Sequence, residues 1–434
     1  DSLPYAPTGA QKRSIDEIAA DMGSEARMNR LLQGDVGAGK TLVAMAALLI
    51  AVEAGGQGAL MAPTEILARQ HLEALAPLAA SAGVRVELLT GRDKGRERAR
   101  KLADLAGGMI DILIGTHALF QRDVAFRDLR LAVIDEQHRF GVAQRMALGE
   151  KGAAVDVLVM TATPIPRSLA LAQYGDMDLS LLDEKPPGRQ PVVTSLASTE
   201  RLDEVVEHLR RAVSEGRQAY WVCPLVEESE TVSLTAAEAR FDYLRARLDE
   251  AVGLVHGQLL PADKDAAMAR FVAGETRVLV ATTVIEVGVN VPNATIMVIE
   301  RAESFGLAQL HQLRGRVGRG SGASTCLLLY DPPLGETAAR RLKLMRDTED
   351  GFRISDEDLA IRGAGDVIGT AQSGLPRFRL ADVERQTSLM QIAQSDARKL
   401  LLDDPSLQSP RGQAARVLLW LMEQDKAIRL MRIG

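Results

Sequence analysis

The chain reads as an α/β protein, two layered domains in series, each a parallel sheet covered by helices. Three observations lead there. Apolar runs of strand length recur between helical stretches: GALMAP (58–63), DILIG (111–115), LAVID (131–135) and VDVLVMTAT (155–163) in the first half. The runs are continuous instead of alternating, as strands buried on both faces are. Then LLDEKPPGRQP places three prolines and a glycine in residues 186–191, which breaks any regular element.

Beyond that linker the rhythm resumes with QAYWVCPL, VGLVHG, RVLVATTV, TIMVIE and STCLLLY, so residues 1–190 and 191–345 are expected to form two domains. No sequence repeat links them. The texture changes in 346–434. ISDEDLAIRGAGDVIGTAQSG is polar and glycine-punctuated, with Ser355 and Asp358 spaced as a helix-starting capping box. From Leu380 the apolar positions Val383, Met390, Ala393, Ala397 and Leu400 keep helical spacing until Asp404 and Pro405 stop it. A last amphipathic helix is expected over about 412–430.

Composition narrows the function classes. With 434 residues, 46% apolar and 25% charged, the chain is too long for one core and typical of globular proteins. No apolar run approaches a membrane span, and DSLPYAPTGAQ has no secretory pattern, so a cytoplasmic protein is expected. Two cysteines, Cys223 and Cys326, exclude a disulfide framework and a four-cysteine zinc site. A formal charge of −6 argues against a generally basic nucleic-acid-coating surface but leaves room for a local basic groove.

The strongest chemical signal is NRLLQGDVGAGKT, a strand, then G-x-x-x-x-G-K-T, then a helix. Gly34, Gly37 and Gly39 let backbone N–H groups turn toward phosphate oxygens, Lys40 adds charge for the β and γ phosphates, and Thr41 is suited to Mg²⁺. This loop accounts for VIDEQH, where a buried strand ends in adjacent carboxylates that repel unless a cation stands by. Asp135 is placed to hold Mg²⁺ through water, and Glu136 to orient and deprotonate an attacking water. His138 is given no role. In QLHQLRGRVGRG, Arg316 and Arg319 share a face if helical, with Gln312 one turn earlier. Gly315 and Gly318 interrupt the helix pattern there, which suits arginines that must reach a phosphate. Thr8-Gly9-Ala10-Gln11 fits both a capping box and an adenine reader.

Taken in order, these motifs resemble those of superfamily 2 helicase motors, with two RecA-like P-loop NTPase lobes. TGAQ is similar to the adenine-binding glutamine motif, GDVGAGKT to motif I, APTEILARQ to motif Ia, and TGR and GTHALF to the DNA-contact motifs Ib and Ic. DEQH resembles motif II, TATPIPR motif III, VHG motif IVa, ATTVIEVGVNVPNA motif V and HQLRGRVGRG motif VI. More narrowly, LLQGDVGAGKT, MAPTEILARQH, GTHALFQ, DEQHRFGV, WVCPLVEESE and ATTVIEVGV resemble the RecG family of branched-DNA translocases, and IRGAGDVIGTAQSG its translocation motif, shared with the transcription-repair coupling factor Mfd.

The resemblance implies that Gln11 reads adenine, that Asn290 touches the ribose, and that Lys40, Thr41, Asp135 and Glu136 bind and hydrolyse ATP with Mg²⁺. It implies that Gln312, Arg316 and Arg319 close onto the γ-phosphate, and that Thr64, Arg92, Thr116 and His117 line a DNA track. Thr161, Thr163, Arg362 and Gln372 would couple hydrolysis to movement. The implied partners are double-stranded and branched DNA, forks and Holliday junctions. Single-strand-binding protein is a candidate, and a monomer without a membrane is expected. Asn290 and Ala371 depart from the aspartate and arginine expected at their positions. The chain starts just before the adenine motif, so a motor without the family's N-terminal wedge domain is expected. Two alternatives stand beside the RecG reading, an Mfd-like motor and a nucleotide-gated clamp that does not translocate. A PriA-like primosomal helicase is disfavoured because two cysteines cannot build its zinc insertion.

Overall fold

The computed structural model of the chain describes residues 6–135, 151, 155–162, 177–186, 190–224, 230–282, 291, 293–318, 320, 322–369 and 387–422. The first lobe is a seven-stranded parallel sheet: β1 (Asn29–Gly34), β2 (Gln57–Met61), β3 (Val86–Leu89), β4 (Ile112–Gly115), β5 (Leu129–Asp135), β6 (Asp156–Thr161) and β7 (Asp178–Leu182). Their spatial order is β3-β4-β2-β5-β6-β1-β7.

Successive residues of the central strands serve opposite faces. Leu32, Leu60, Val133 and Leu158 enter one core with Ile18 of α1 (Gly9–Met22), Leu48 of α2 (Lys40–Glu53) and Leu75 of α3 (Glu65–Ser81). Leu31, Met61, Ile134 and Val159 enter the other, with Leu105 of α4 (Gly95–Ala106). Burial on both faces explains why the runs read as continuously apolar, each large side chain contributing about 1.5–3 kcal/mol.

The second lobe repeats the plan with six parallel strands: β8 (Val192–Ser198), β9 (Gln218–Cys223), β10 (Val252–Val255), β11 (Val278–Thr282), β12 (Ala294–Ile299) and β13 (Ser324–Tyr330), ordered β10-β11-β9-β12-β13-β8. One face packs on α5 (Leu202–Ser214) and α6 (Glu230–Leu248). The other packs on α7 (Pro261–Val272), α8 (Leu307–Arg314) and α9 (Glu336–Asp347). Cys223 and Cys326 are free and buried. Complete burial pushes the Cys326 thiol up to about 12, against the opposing pull of Arg314, so it stays protonated and inert.

Three helices follow: α10 (Gly351–Gly369), α11 (Thr387–Asp403) and α12 (Pro410–Leu421). The Ser355–Asp358 capping box does not start a helix, because α10 is already running at Gly351. Its cap is Asp350, whose Oδ1 accepts from the backbone N–H of Phe352 at 3.0 Å and Arg353 at 3.2 Å. Ile354 lies in the second lobe's core, so the first turns of α10 pack as part of that lobe. The α11 helix ends at Asp403, as the Asp404-Pro405 stop requires, while Val383 lies outside the described residues. The last helix starts two residues before the expected 412, at Pro410, with Ser409 capping the Gly412 N–H at 3.0 Å. Among the described residues no helix is long and apolar enough to cross a membrane.

Candidate nucleotide and nucleic-acid site

Three neighbouring parallel strands end together at the centre of the first sheet. β1 runs into the phosphate loop, β6 ends in Thr161 paired with Gln33 of β1, and β5 ends in Asp135 paired with Met160 of β6. The carboxyl ends of such strands are where α/β sheets hold ligands. Gly37 and Gly39 take φ of 81° and 89°, left-handed values that a side chain disfavours. No side chain caps the N-terminus of α2 at Gly39, so its leading N–H groups face the loop as an anion cradle. Lys40 is buried, and its Nζ donates to the carbonyls of Gly34 at 2.7 Å and Asp35 at 3.0 Å. Thr41 follows in the first turn, half-buried.

Gln11 closes the loop from α1. Its Nε2 donates to the Ala38 carbonyl at 2.9 Å, and its Oε1 accepts from the Thr8 N–H at 3.0 Å, while Thr8 Oγ1 accepts from the Gln11 N–H at 3.2 Å. The capping box is therefore formed. An amide carries two donor hydrogens and two acceptor lone pairs, so capping leaves a second N–H and a second lone pair for a base edge. The two readings of TGAQ are compatible in one side chain.

Asp135 is 7% exposed, and its Oδ2 lies 2.7 Å from Nε2 of His71 on α3. The donors at this edge are oxygens, the Asp135 carboxylate and the Thr41 hydroxyl. Among the described residues no group of three His, Cys, Asp or Glu side chains forms a cage that could hold a metal ion by itself. So sparse a hard-oxygen set suits Mg²⁺ carried in with phosphates. Glu136, His138 and Thr163 lie outside the described residues.

The second lobe meets this loop directly. His311 of α8 places Nε2 2.9 Å from Asp35 Oδ1, and its Nδ1 lies 2.9 Å from an Arg314 amine. A guanidinium only donates, so Nδ1 accepts and Nε2–H donates to Asp35. Arg314 is buried and also donates to the carbonyls of Met345 at 2.6 Å and Thr348 at 2.8 Å. Asp35 Oδ2 accepts from the Gly351 N–H at 3.4 Å, bringing the start of α10 to the phosphate loop. Burial raises the Asp35 carboxyl, but the His311 hydrogen bond, the Gly351 N–H and the charge of Lys40 outweigh it and hold the carboxyl below its ordinary range.

Arg316 is not on a helix, because α8 stops at Arg314 with Gly315 as its cap. Gln312 is on the helix and Arg316 in the turn after it. A Cβ on Gly315 would stand 2.8 Å from the Cβ of Val36 in the phosphate loop. The glycine therefore serves close approach of the two lobes. Arg319 and Asn290 lie outside the described residues, as do Ala371 and Gln372. Arg362 lies on α10, and its side chain is likewise outside.

The expected DNA-track residues converge on one sheet edge. Thr64 follows β2, Arg92 follows β3, and Thr116 and His117 follow β4, and these three strands are adjacent. Thr64 also caps α3, accepting from the Leu67 N–H at 3.3 Å. Arg92 pairs with Glu65 at 3.1 Å and, across the lobes, with Asp265 of α7.

Sequence reasoning missed Asp35, His71, His311 and Arg314. The signals were there, a histidine on the apolar stripe of α3 and a His-Arg pair three apart in a buried helix, but neither names its partner.

Three family models match the chain: DEAD/DEAH box helicase over residues 8–171, helicase conserved C-terminal domain over 200–321, and ATP-dependent DNA helicase RecG, domain 3, C-terminal, over 348–431. The chain is 51% identical over 411 residues to ATP-dependent DNA helicase RecG of Pasteurella multocida, covering 93% of this chain and 59% of that protein. It is 49% identical to the Escherichia coli K12 RecG over 431 residues, 98% of this chain and 62% of that protein. A solved RecG bound to a three-way DNA junction superposes with a TM-score of 0.76 at 46% identity, covering 90% of this chain and 51% of that one. The chain thus spans about six tenths of the length of the curated relatives it matches. With helicase lobes on both sides of one phosphate loop and a matching domain 3 behind them, the chain belongs to the RecG family.

Proposed function

We propose that this chain is the ATP-driven motor of a translocase acting on double-stranded and branched DNA. One observation carries the reading: the phosphate loop of the first lobe is held by His311 and abutted by Gly315 of the second, so that filling the loop acts on the fit between lobes. A site shared by two bodies converts nucleotide occupancy into relative movement.

In this reading Lys40 exchanges its two loop carbonyls for phosphate oxygens, and the N–H groups of the loop around Gly34, Gly37 and Gly39 join it. Thr41 and Asp135 would hold Mg²⁺, which would supply positive charge to the phosphates. Glu136 orients and deprotonates water, and Arg316, Arg319 and Gln312 complete the site from the second lobe. Gln11 reads adenine with its remaining donor and acceptor, and Asn290 bonds the ribose. Thr64, Arg92, Thr116 and His117 grip DNA phosphates, contacts that position without demanding a large net positive charge. Thr161, Thr163, Arg362 and Gln372 transmit closure. The three-way junction held by the solved relative supports branched DNA as the substrate class.

Triplex displacement tests this reading. ATP-dependent release of a third strand from duplex DNA is expected. DNA binding and ATP turnover with the third strand left in place would instead mean a nucleotide-gated clamp.

A further inference from the structure

We propose that His71 is a positioning residue that fixes the carboxylate of Asp135, an inference that rests on the assignment of Asp135 to Mg²⁺ above. The helix α3 buries Ala68, His71, Leu75 and Ala79 along one stripe. At three of these positions the stripe is apolar, and packing alone would favour a fourth hydrophobe, since a buried imidazole is unfavourable unless hydrogen-bonded. His71 is 8% exposed, and its Nε2 meets Asp135 Oδ2 at 2.7 Å. The carboxylate accepts only, so Nε2 carries the hydrogen and donates.

The value of that bond lies in a torsion. The terminal sp³–sp² rotation of an aspartate is broad, so a carboxylate at a strand end does not hold one plane without help. Tying Oδ2 to a ring that is itself packed within α3 leaves the other oxygen presented in a fixed direction. Groups that orient a metal-binding carboxylate in this way typically change metal affinity or activity 10- to 100-fold when removed. The topology supplies the reach: β2 lies beside β5 and parallel to it, so α3, which starts just beyond the carboxyl end of β2, carries His71 in its second turn next to the end of β5.

The test uses the full chain, a fluorescent ADP analogue, and Mg²⁺ as the titrant, so that turnover is not needed. In His71→Gln the amide nitrogen reaches the position of Nε2; in His71→Asn it falls short. His71→Asn is expected to raise the Mg²⁺ concentration for half-maximal nucleotide binding about tenfold, while nucleotide binding in chelator stays at the wild-type level. His71→Gln is expected to stay close to wild type. Equal Mg²⁺ dependence in wild type and His71→Asn, or equal shifts in the two variants, overturns the proposal. Absence of ATP turnover in the wild type would count against the motor reading and leaves this binding comparison intact.

Discussion

His311 of the second lobe donates to Asp35 in the phosphate loop of the first, Nε2 to Oδ1 at 2.9 Å, with Arg314 fixing the ring from behind. Replacing His311 with Ala removes the shorter of Asp35's two cross-lobe hydrogen bonds and leaves a buried Arg314 amine without its acceptor. A loss of about 1–3 kcal/mol in stability is expected, together with a broader interlobe distance distribution by fluorescence energy transfer between labels on the two lobes. An unchanged distribution would mean that this bond does not hold the lobes.

The same pair sets a pH dependence. The folded-state Asp35 carboxyl lies below its ordinary value, because His311, Gly351 and Lys40 outweigh burial. A depressed carboxyl contributes stability that is fully present above the unfolded value, about 3.9, and is lost as pH falls through the lower folded value. Wild type should therefore be more stable than Asp35→Asn at pH 7, with the gap closing as denaturant unfolding is repeated below about pH 4. A gap that does not change with pH would contradict the assignment.

Gly315→Ala separates local helix stability from lobe contact. Gly315 has φ −65°, which alanine adopts freely, and alanine favours helix over glycine by up to about 1 kcal/mol. Yet the new Cβ would stand 2.8 Å from the Cβ of Val36. The expected variant unfolds no earlier than wild type and hydrolyses ATP at least tenfold more slowly, ~1.4 kcal/mol or more in the barrier. Wild-type turnover would mean that the lobes need not approach at Gly315.

Which parts of the fold were legible follows from burial. The central strands β2, β5, β6, β9 and β11 announced themselves because both faces are covered. The strands that went unread, β3, β7 and β8, are edges of their sheets, with half-exposed residues that blunt the apolar run. The phosphate loop was legible because its chemistry is contiguous in the chain. The pairs His71–Asp135 and His311–Asp35 were not, since each joins residues from separate elements, and local spacing carries no trace of a partner 64 or 276 positions away. The start of α10 was misplaced for a related reason. Ser355 and Asp358 have the right spacing, but Asp350, five residues before Ser355, is the side chain that reaches the helix's first N–H groups.

The central claim, that nucleotide turnover in this chain is driven by duplex and branched DNA, is tested most directly by ATPase rates on matched duplex, single-stranded and three-way-junction DNA. Lys40→Ala, expected to lose nucleotide binding, and Glu136→Gln, expected to bind nucleotide and stall, serve as backgrounds. Stimulation by duplex and junction well above that by single strand, abolished in both variants, is the expected result. Stimulation by single strand alone, or turnover indifferent to DNA, would contradict the account.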